Sequence, residues 1–269
     1  LLDRVLLQLD ALERELIETA FGGRLTTGLD GVNPGPPVTD ERTDLWELSR
    51  APKPLPPAVA PAEAEALGAP NGWTVTSLEG ATSPTRVIRY GILMPRVKTG
   101  GVVPYVEVKD LAGNTLAGKA LHKTSQELDE RFSGARLCAG DVVIAVRGSF
   151  ERVAVVPAAL EGANISRDVV RLAPLPSVHP TYLYYWLQTP TVRSHLQRHA
   201  RGVAVKGVNI HTLRALPIVL PSMAGQAKIV EGLDRELTGL SKLRSEVKSQ
   251  RRREAQLRRA LLVAALQGR

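Results

Sequence analysis

Three short segments carry the side chains best suited to recognition chemistry. Arg147-Gly148-Ser149-Phe150-Glu151-Arg152 sets two guanidiniums around a glycine turn and a hydroxyl. Such a set suits a phosphate or a bidentate grip on guanine, because a guanidinium presents paired donors in one plane. Lys98-Thr99-Gly100-Gly101 and Lys206-Gly207-Val208-Asn209-Ile210-His211 follow the same rule, each joining a cation to flexible backbone and small polar side chains. One such loop is the ordinary chemistry of a solvated turn. Three in one chain, with Arg86 and Arg89 as further cations, point to a nucleic acid whose phosphates fix register while loop side chains meet base edges. The candidate contacts are therefore Arg86, Arg89, Lys98, Thr99, Arg147, Ser149, Arg152, Lys206, Asn209 and His211.

Catalytic chemistry is poorly represented. The chain has no glycine-rich phosphate loop ending in Lys-Ser or Lys-Thr, no paired-glycine fingerprint for a dinucleotide or S-adenosylmethionine, and no Gly-x-Ser-x-Gly elbow. Glu107-Val108-Lys109 has the Glu-x-Lys spacing of metal-dependent nucleases, in which the carboxylate holds the metal and the lysine polarises water. No Pro-Asp pair precedes it, and plain alternation on a strand explains it better. His195 and His199 stand four apart, a spacing open to two zinc ligands, but they lack an intervening Glu and a third ligand nearby. No metal is expected.

These loops need a scaffold, and the longest helical pattern lies at the end of the chain. From Ser222, an N-cap candidate, Leu233, Leu237, Leu240, Leu243 and Val247 recur at three- and four-residue steps, and the stripe resumes at Leu257, Leu261 and Ala264. This predicts one helix of roughly 65 Å at 1.5 Å per residue. The opening residues repeat the rule with Leu2, Val5, Leu9, Leu12, Leu16 and Thr19, a heptad seam. The two segments also match in sequence: Leu12 to Ile17 lies over Leu257 to Leu262, and Ala20 to Arg24 over Ala265 to Arg269. A helix with one apolar stripe needs a partner, so the two are expected to pack as an antiparallel coiled coil with Leu9, Leu12, Leu16, Leu233, Leu237, Leu240, Val247, Leu257 and Leu261 in the seam. Their charges agree, since acidic residues outnumber basic ones over 1–24 and the reverse holds from Gln226 onward.

Between them the texture changes twice. The first helix is expected to stop at Gly22-Gly23, and nine prolines from Pro34 to Pro70 make a connector incompatible with long elements. From Asn71 to Pro221 short β-branched runs alternate with glycine turns: Trp73 to Ser77, Val87 to Leu93, Val102 to Val108, Val142 to Val146, Arg152 to Val156, Ile165 to Leu172 and Leu216 to Leu220. Helical patterns enter late, at Pro180 to Leu187 and Val192 to His199. The expected fold is α+β, a mostly-β domain with a few helices, divided into a helix at 1–24, a linker at 25–70, a recognition domain at 71–221 and a second helix at 222–269.

With 269 residues the chain can bury a sizeable core, and a formal charge of +8 favours an anionic partner. No apolar run approaches a membrane span and no signal peptide is evident, and a single cysteine points to reducing cytoplasm as the expected location. The single cysteine, Cys138, excludes an internal disulfide and is expected to be buried and inert. The chain opens on Leu within a helical pattern, as a fragment would.

In their order along the chain, these residues resemble the specificity subunit of type I restriction-modification systems. The helix ending Ala20-Phe21-Gly22-Gly23-Arg24-Leu25, the domain start Gly72-Trp73 with Leu78, and Tyr90-Gly91-Ile92 carry the likeness. So do Gly140 to Ser149, Asn164-Ile165-Ser166-Arg167, the Tyr182 to Gln188 helix, the exit from Asn209-Ile210 to Leu216-Pro217-Ile218, Leu220-Pro221 and Gln226 to Val230. The resemblance implies a chain with no catalysis and no cofactor of its own. It implies sequence-specific binding of double-stranded DNA, one half of a bipartite target per recognition domain, with the helices spacing the halves and docking modification (methyltransferase) subunits. S-adenosylmethionine would belong to those subunits, and ATP and Mg to a restriction (motor-nuclease) subunit. The family pattern has two recognition domains and this chain one, which leaves it as the C-terminal half of a longer subunit or a half-size subunit that forms a homodimer. A non-catalytic coiled-coil adaptor binding protein or RNA, and a nuclease using Glu107 and Lys109, are the alternatives.

Overall fold

The computed structural model describes residues 2–21, 73–96, 100–112, 115–116, 121–150, 152–202 and 206–267. The expected Gly22-Gly23 stop, the proline-rich linker, the Gly72 turn and the candidates Lys98 and Thr99 lie outside these residues.

A long helix opens the described chain and a longer one closes it: α1 spans Leu2–Phe21 and α6 spans Met223–Leu266. Between them lie β1 (Thr74–Ser77), β2 (Arg89–Tyr90), β3 (Val103–Val106), β4 (Leu111–Ala112), β5 (Thr115–Leu116), β6 (His122–Thr124), α2 (Gln126–Arg131), β7 (Val142–Ala145), β8 (Val153–Val155), β9 (Asn164–Ile165), β10 (Val169–Leu172), α3 (Pro180–Gln188), α4 (Pro190–His199), α5 (Ile210–Ala215) and β11 (Pro217–Leu220). The class is α+β. Six strands form the central sheet in the order β2-β10-β7-β8-β5-β4, three form a second in the order β6-β3-β9, and β1 pairs with β11. Most neighbours are antiparallel, with β5–β8 and β3–β9 parallel.

β7 shows how the sheet is held. Side chains alternate faces along a strand, and here both faces are covered: Val142 and Ile144 enter one apolar cluster, Val143 and Ala145 another. The first cluster gathers the inner face of the sheet, the aromatic helix α3, β11 and the inner ends of both long helices. The run Ile165 to Leu172 is two strands instead of one, because Ser166 to Asp168 turn the chain between β9 and β10. Cys138, expected to be buried, is half-buried and lies in the turn before β7.

α1 and α6 run antiparallel. Arg251 pairs with Asp3 at 3.1 Å, and Arg244 with both Asp10 and Glu13 at 2.6 Å, so numbers rise along one helix as they fall along the other. Exposed pairs of this kind contribute about 0–1 kcal/mol each, so they set register more than stability. Leu9, Leu16, Leu237 and Val247 are half-buried along this face, and Leu233 and Leu240 are buried. Leu12 and Leu243 depart from the expected seam, being 43 % and 51 % exposed. Glu13 and Arg244 hold the inner positions beside them as an ion pair. Leu257 and Leu261 are also exposed, since they lie past the Arg251–Asp3 pair near the start of described α1.

The helices join the sheet domain through aromatic packing. Phe21 meets Tyr182 and Trp186 edge to face, with ring centres 5.0 and 5.2 Å apart. Ser222 caps α6 by accepting from the Gly225 amide at 3.2 Å. Buried Gln226 then ties the first turn down: its amide donates to the Ser177 and Pro221 carbonyls, and its oxygen accepts from the His179 amide at 2.7 Å. Such satisfied polar contacts inside a core fix orientation, because any other docking angle leaves them unmade.

Candidate nucleic-acid interface

The Arg147 loop and the Lys206 segment are brought together by backbone pairing. Arg147 bridges Gly207, which in turn pairs in both directions with Arg201, and the Gly148 amide donates to the Lys206 carbonyl at 3.1 Å. Gly148 has φ +78°, a left-handed value that glycine adopts without strain, so the tight loop reverses just where the guanidinium emerges. The Val208 amide donates to the Val146 carbonyl and the Val146 amide to the Asp168 carbonyl, clamping the three segments side by side.

The result is an open cavity of about 690 Å³ whose lining includes Tyr90, Leu93, Arg147, Arg167, Arg201 and Asn209. Arg147 and Arg167 are about half exposed, and each lies near Asp168 Oδ1, at 3.5 and 3.6 Å. One carboxylate shared loosely by two cations holds them in place without neutralising both. Arg201 and Lys206 are exposed beside them. Asn209 caps α5, its side-chain oxygen accepting from the His211 amide at 2.9 Å, and Tyr90 Oη accepts from the Ile210 amide at 2.9 Å. That arrangement leaves the Asn209 amide group at the rim, with His211 exposed two residues further on.

Other candidates stand elsewhere or are engaged within the domain. Arg86 makes a two-pronged pair with Asp141, at 2.7 and 2.6 Å, and also donates to the Arg136 carbonyl. Arg152 donates to the Val108 carbonyl at 3.1 Å. Arg89 lies over Gly134, whose missing Cβ leaves the space its guanidinium fills. Ser149 is half-buried and its carbonyl closes the turn to the Arg152 amide. Arg167 and Arg201 are not among the candidates read from the sequence; only the fold places them beside Arg147.

Glu107 does not present a free carboxylate for a metal. Lys109 contacts it at 2.5 Å, His122 at 2.9 Å and Arg96 at 3.6 Å. Burial alone would raise its pKa, but the Lys109 hydrogen bond and charge, with Arg96 and His122, outweigh burial and lower it. His195 and His199 stack at 4.3 Å, and His199 Nδ1 faces the His195 carbonyl at 2.9 Å. Among the described residues no three His, Cys, Asp or Glu side chains are placed to hold a metal, and no helix is long and apolar enough to cross a membrane.

Residues 94–249, more than half of the chain, match the family model of the type I restriction modification DNA specificity domain. The chain belongs to this family. As a DNA specificity domain it is a non-catalytic part of such systems. It is 24 % identical over 200 residues to the type I restriction enzyme EcoBI specificity subunit of Escherichia coli, covering 74 % of this chain and 42 % of that protein. A solved structure from a study of complex assembly and conformational transition of the type I R-M system aligns over 98 % of this specificity domain and 58 % of its own chain, at 19 % identity and TM-score 0.56. The HsdS subunit from Thermoanaerobacter tengcongensis aligns over 98 % of this chain and 56 % of its own, at 18 % identity and TM-score 0.47. The chain thus spans about half the length of the relatives it matches.

Proposed function

We propose that this specificity domain reads one half of a bipartite double-stranded DNA target, that α1 and α6 set the distance to the other half, and that the helices dock methyltransferase subunits. The observation that carries the reading is the cavity rimmed by Arg147, Arg167 and Arg201, with Asn209 at its edge. Three cations around an open recess suit phosphates approaching from solvent, and an amide beside them suits a base edge. Lys98, Thr99, Lys206 and His211 remain in the proposed contact set; Arg86 and Arg152, held by Asp141 and by the Val108 carbonyl, take supporting places. Under this reading methyl transfer and cleavage belong to partner subunits, and the restriction subunit joins the same assembly.

Arg147→Ala with Arg167→Ala is the direct test. Each lost phosphate contact removes about 0.9 from the slope of log affinity against log salt, so the double variant is expected to lower that slope by about 1.8 and to weaken binding at least about ten-fold near physiological salt. Titration of duplex DNA at several salt concentrations measures both. Unchanged affinity and slope would overturn the DNA assignment of this recess and favour the adaptor reading.

The spacer part rests on the internal repeat. Ile17, Ala20 and Phe21 are buried against the sheet domain, whereas their repeat counterparts Leu262, Ala265 and Leu266 are exposed. A second recognition domain, from the same subunit or from a second copy of this chain, would give the far end of α6 an equivalent seat. Inserting one heptad into both helices keeps the seam in phase and lengthens the pair by about 10 Å. That equals about three base pairs at 3.4 Å each. Methylation-site sequencing in cells carrying the complete system is expected to show half-sites of unchanged sequence moved apart by that amount; altered half-site sequences would contradict the spacer assignment.

A further inference from the structure

Beside the arginine recess the chain exposes two large apolar side chains in succession, Leu93 at 53 % and Met94 at 76 %. Their neighbours are the reverse. Ile92 is fully buried, with its amide donating to the Ile165 carbonyl at 2.7 Å and its carbonyl accepting from the Arg167 amide at 2.9 Å, and Pro95 is buried on the other side. Gly91 lies so close to Ile165 that a Cβ there would fall 1.9 Å from the Ile165 carbonyl oxygen. The tip is therefore a short turn pinned at both ends. Met94 has φ +56°, the one left-handed non-glycine residue among the described residues. A side chain there is strained, the more so before a proline, which disfavours helical backbone in the residue preceding it. Among the described residues little repays that strain, since the Met94 side chain is largely exposed. Strain held by the surrounding structure in a conformation with no folding benefit is characteristic of binding sites.

Leu93 lines the same cavity as Arg147, Arg167 and Arg201, and the exposed Met94 follows it in the chain. Through Ile92, the tip is hydrogen-bonded to the Arg167 backbone itself. We propose that Leu93 and Met94 form an apolar reading tip that contacts the C5-methyl group of a thymine in the major groove, with the arginines holding the flanking phosphates. The inference rests on the DNA reading above and assigns a base class to it. In the major groove thymine alone among the four unmodified bases offers a methyl group. The Ile92 hydrogen bonds and the buried Pro95 hold the tip in position for that contact.

The test uses the purified full chain and a random double-stranded library. Wild type is expected to enrich a sequence containing at least one thymine whose replacement by deoxyuridine weakens binding about four-fold, the value of one buried methyl group. Met94→Gly removes the side chain while suiting the left-handed backbone, so it is expected to fold with unchanged or higher Tm. Combined with Leu93→Ser, it is expected to lose the deoxyuridine effect and the thymine preference while keeping the salt slope of wild type. A variant that still enriches the same thymine and still responds to deoxyuridine overturns the inference and leaves the DNA reading intact. A wild-type chain that enriches no sequence, and whose affinity does not change in Arg147→Ala with Arg167→Ala, overturns both.

Discussion

Asp141→Ala is expected to destabilise the fold by about 3 kcal/mol, the lower end of what removing one partner from a buried ion pair costs, because the Arg86 left behind is one-third exposed. Asp141 is buried at the start of β7, where it accepts two hydrogen bonds from Arg86 and one from the Cys138 amide at 2.8 Å. Close by lies Arg171, which is fully buried on β10 and donates to the Val87 and Gly134 carbonyls. Burial, then the charges of Arg86 and Arg89, pull the Arg171 pKa down to about 10, against the opposing attraction of Asp141. Without that carboxylate two guanidiniums would face each other in a region of low dielectric. Urea unfolding measures the loss as a lower midpoint at unchanged slope. Replacing Arg86 by Met in the same chain is expected to recover part of it, because the second variant removes the stranded charge. A loss below about 1 kcal/mol would mean that Arg86 is not held by Asp141 in solution, and would return Arg86 to the DNA-contact set.

Phe21→Ala is expected to cost a similar amount, about 3–5 kcal/mol for truncating a buried aromatic side chain. The effect should be local in origin. With Ile17 and Ala20 buried beside it, Phe21 supplies the contact of α1 with Tyr182 and Trp186; beyond this joint the ties of the helix are half-buried leucines, the Glu18 carboxylate on Thr191, and ion pairs to α6. Those ties are too weak singly to hold a 20-residue helix in place. Hydrogen exchange should therefore show α1 amides losing protection well before those of β7 and β10. Equal protection in variant and wild type would show that the coil, rather than the aromatic joint, carries α1. The distinction matters for the spacer, since a measured distance between half-sites requires that the helices hold a fixed angle to the recognition domain.

Two features were legible in the sequence for a clear physical reason. The helices announced themselves through three- and four-residue spacing over many turns, and their charges announced the pairing. The β-branched runs around Val142 and Val153 likewise read as strands, since both faces of β7 are buried and the run is continuously apolar. Local pattern failed where a position is decided by a partner. Leu12 fits a heptad as well as any leucine in α1, yet Glu13 takes the inner position because Arg244 lies opposite. α5 and the short strands β4 to β6 were missed, being two to six residues long and too brief to show a period.

The recess shows the same division. From residue types alone the sequence determined that the chain carries cationic glycine loops, lacks catalytic signatures and ends in a helix that echoes its beginning. Only the tertiary structure decided which cations face outward together. Arg86, Arg147 and Arg152 are alike as sequence, but a carboxylate 55 residues away in the chain holds the first and a carbonyl 44 residues away holds the third. Arg167 and Arg201 join Arg147 through backbone pairing between segments far apart in sequence. Whether a guanidinium is free to bind depends on the nearest acceptor within about 3 Å, and which acceptor that is emerges only when distant segments are folded against one another.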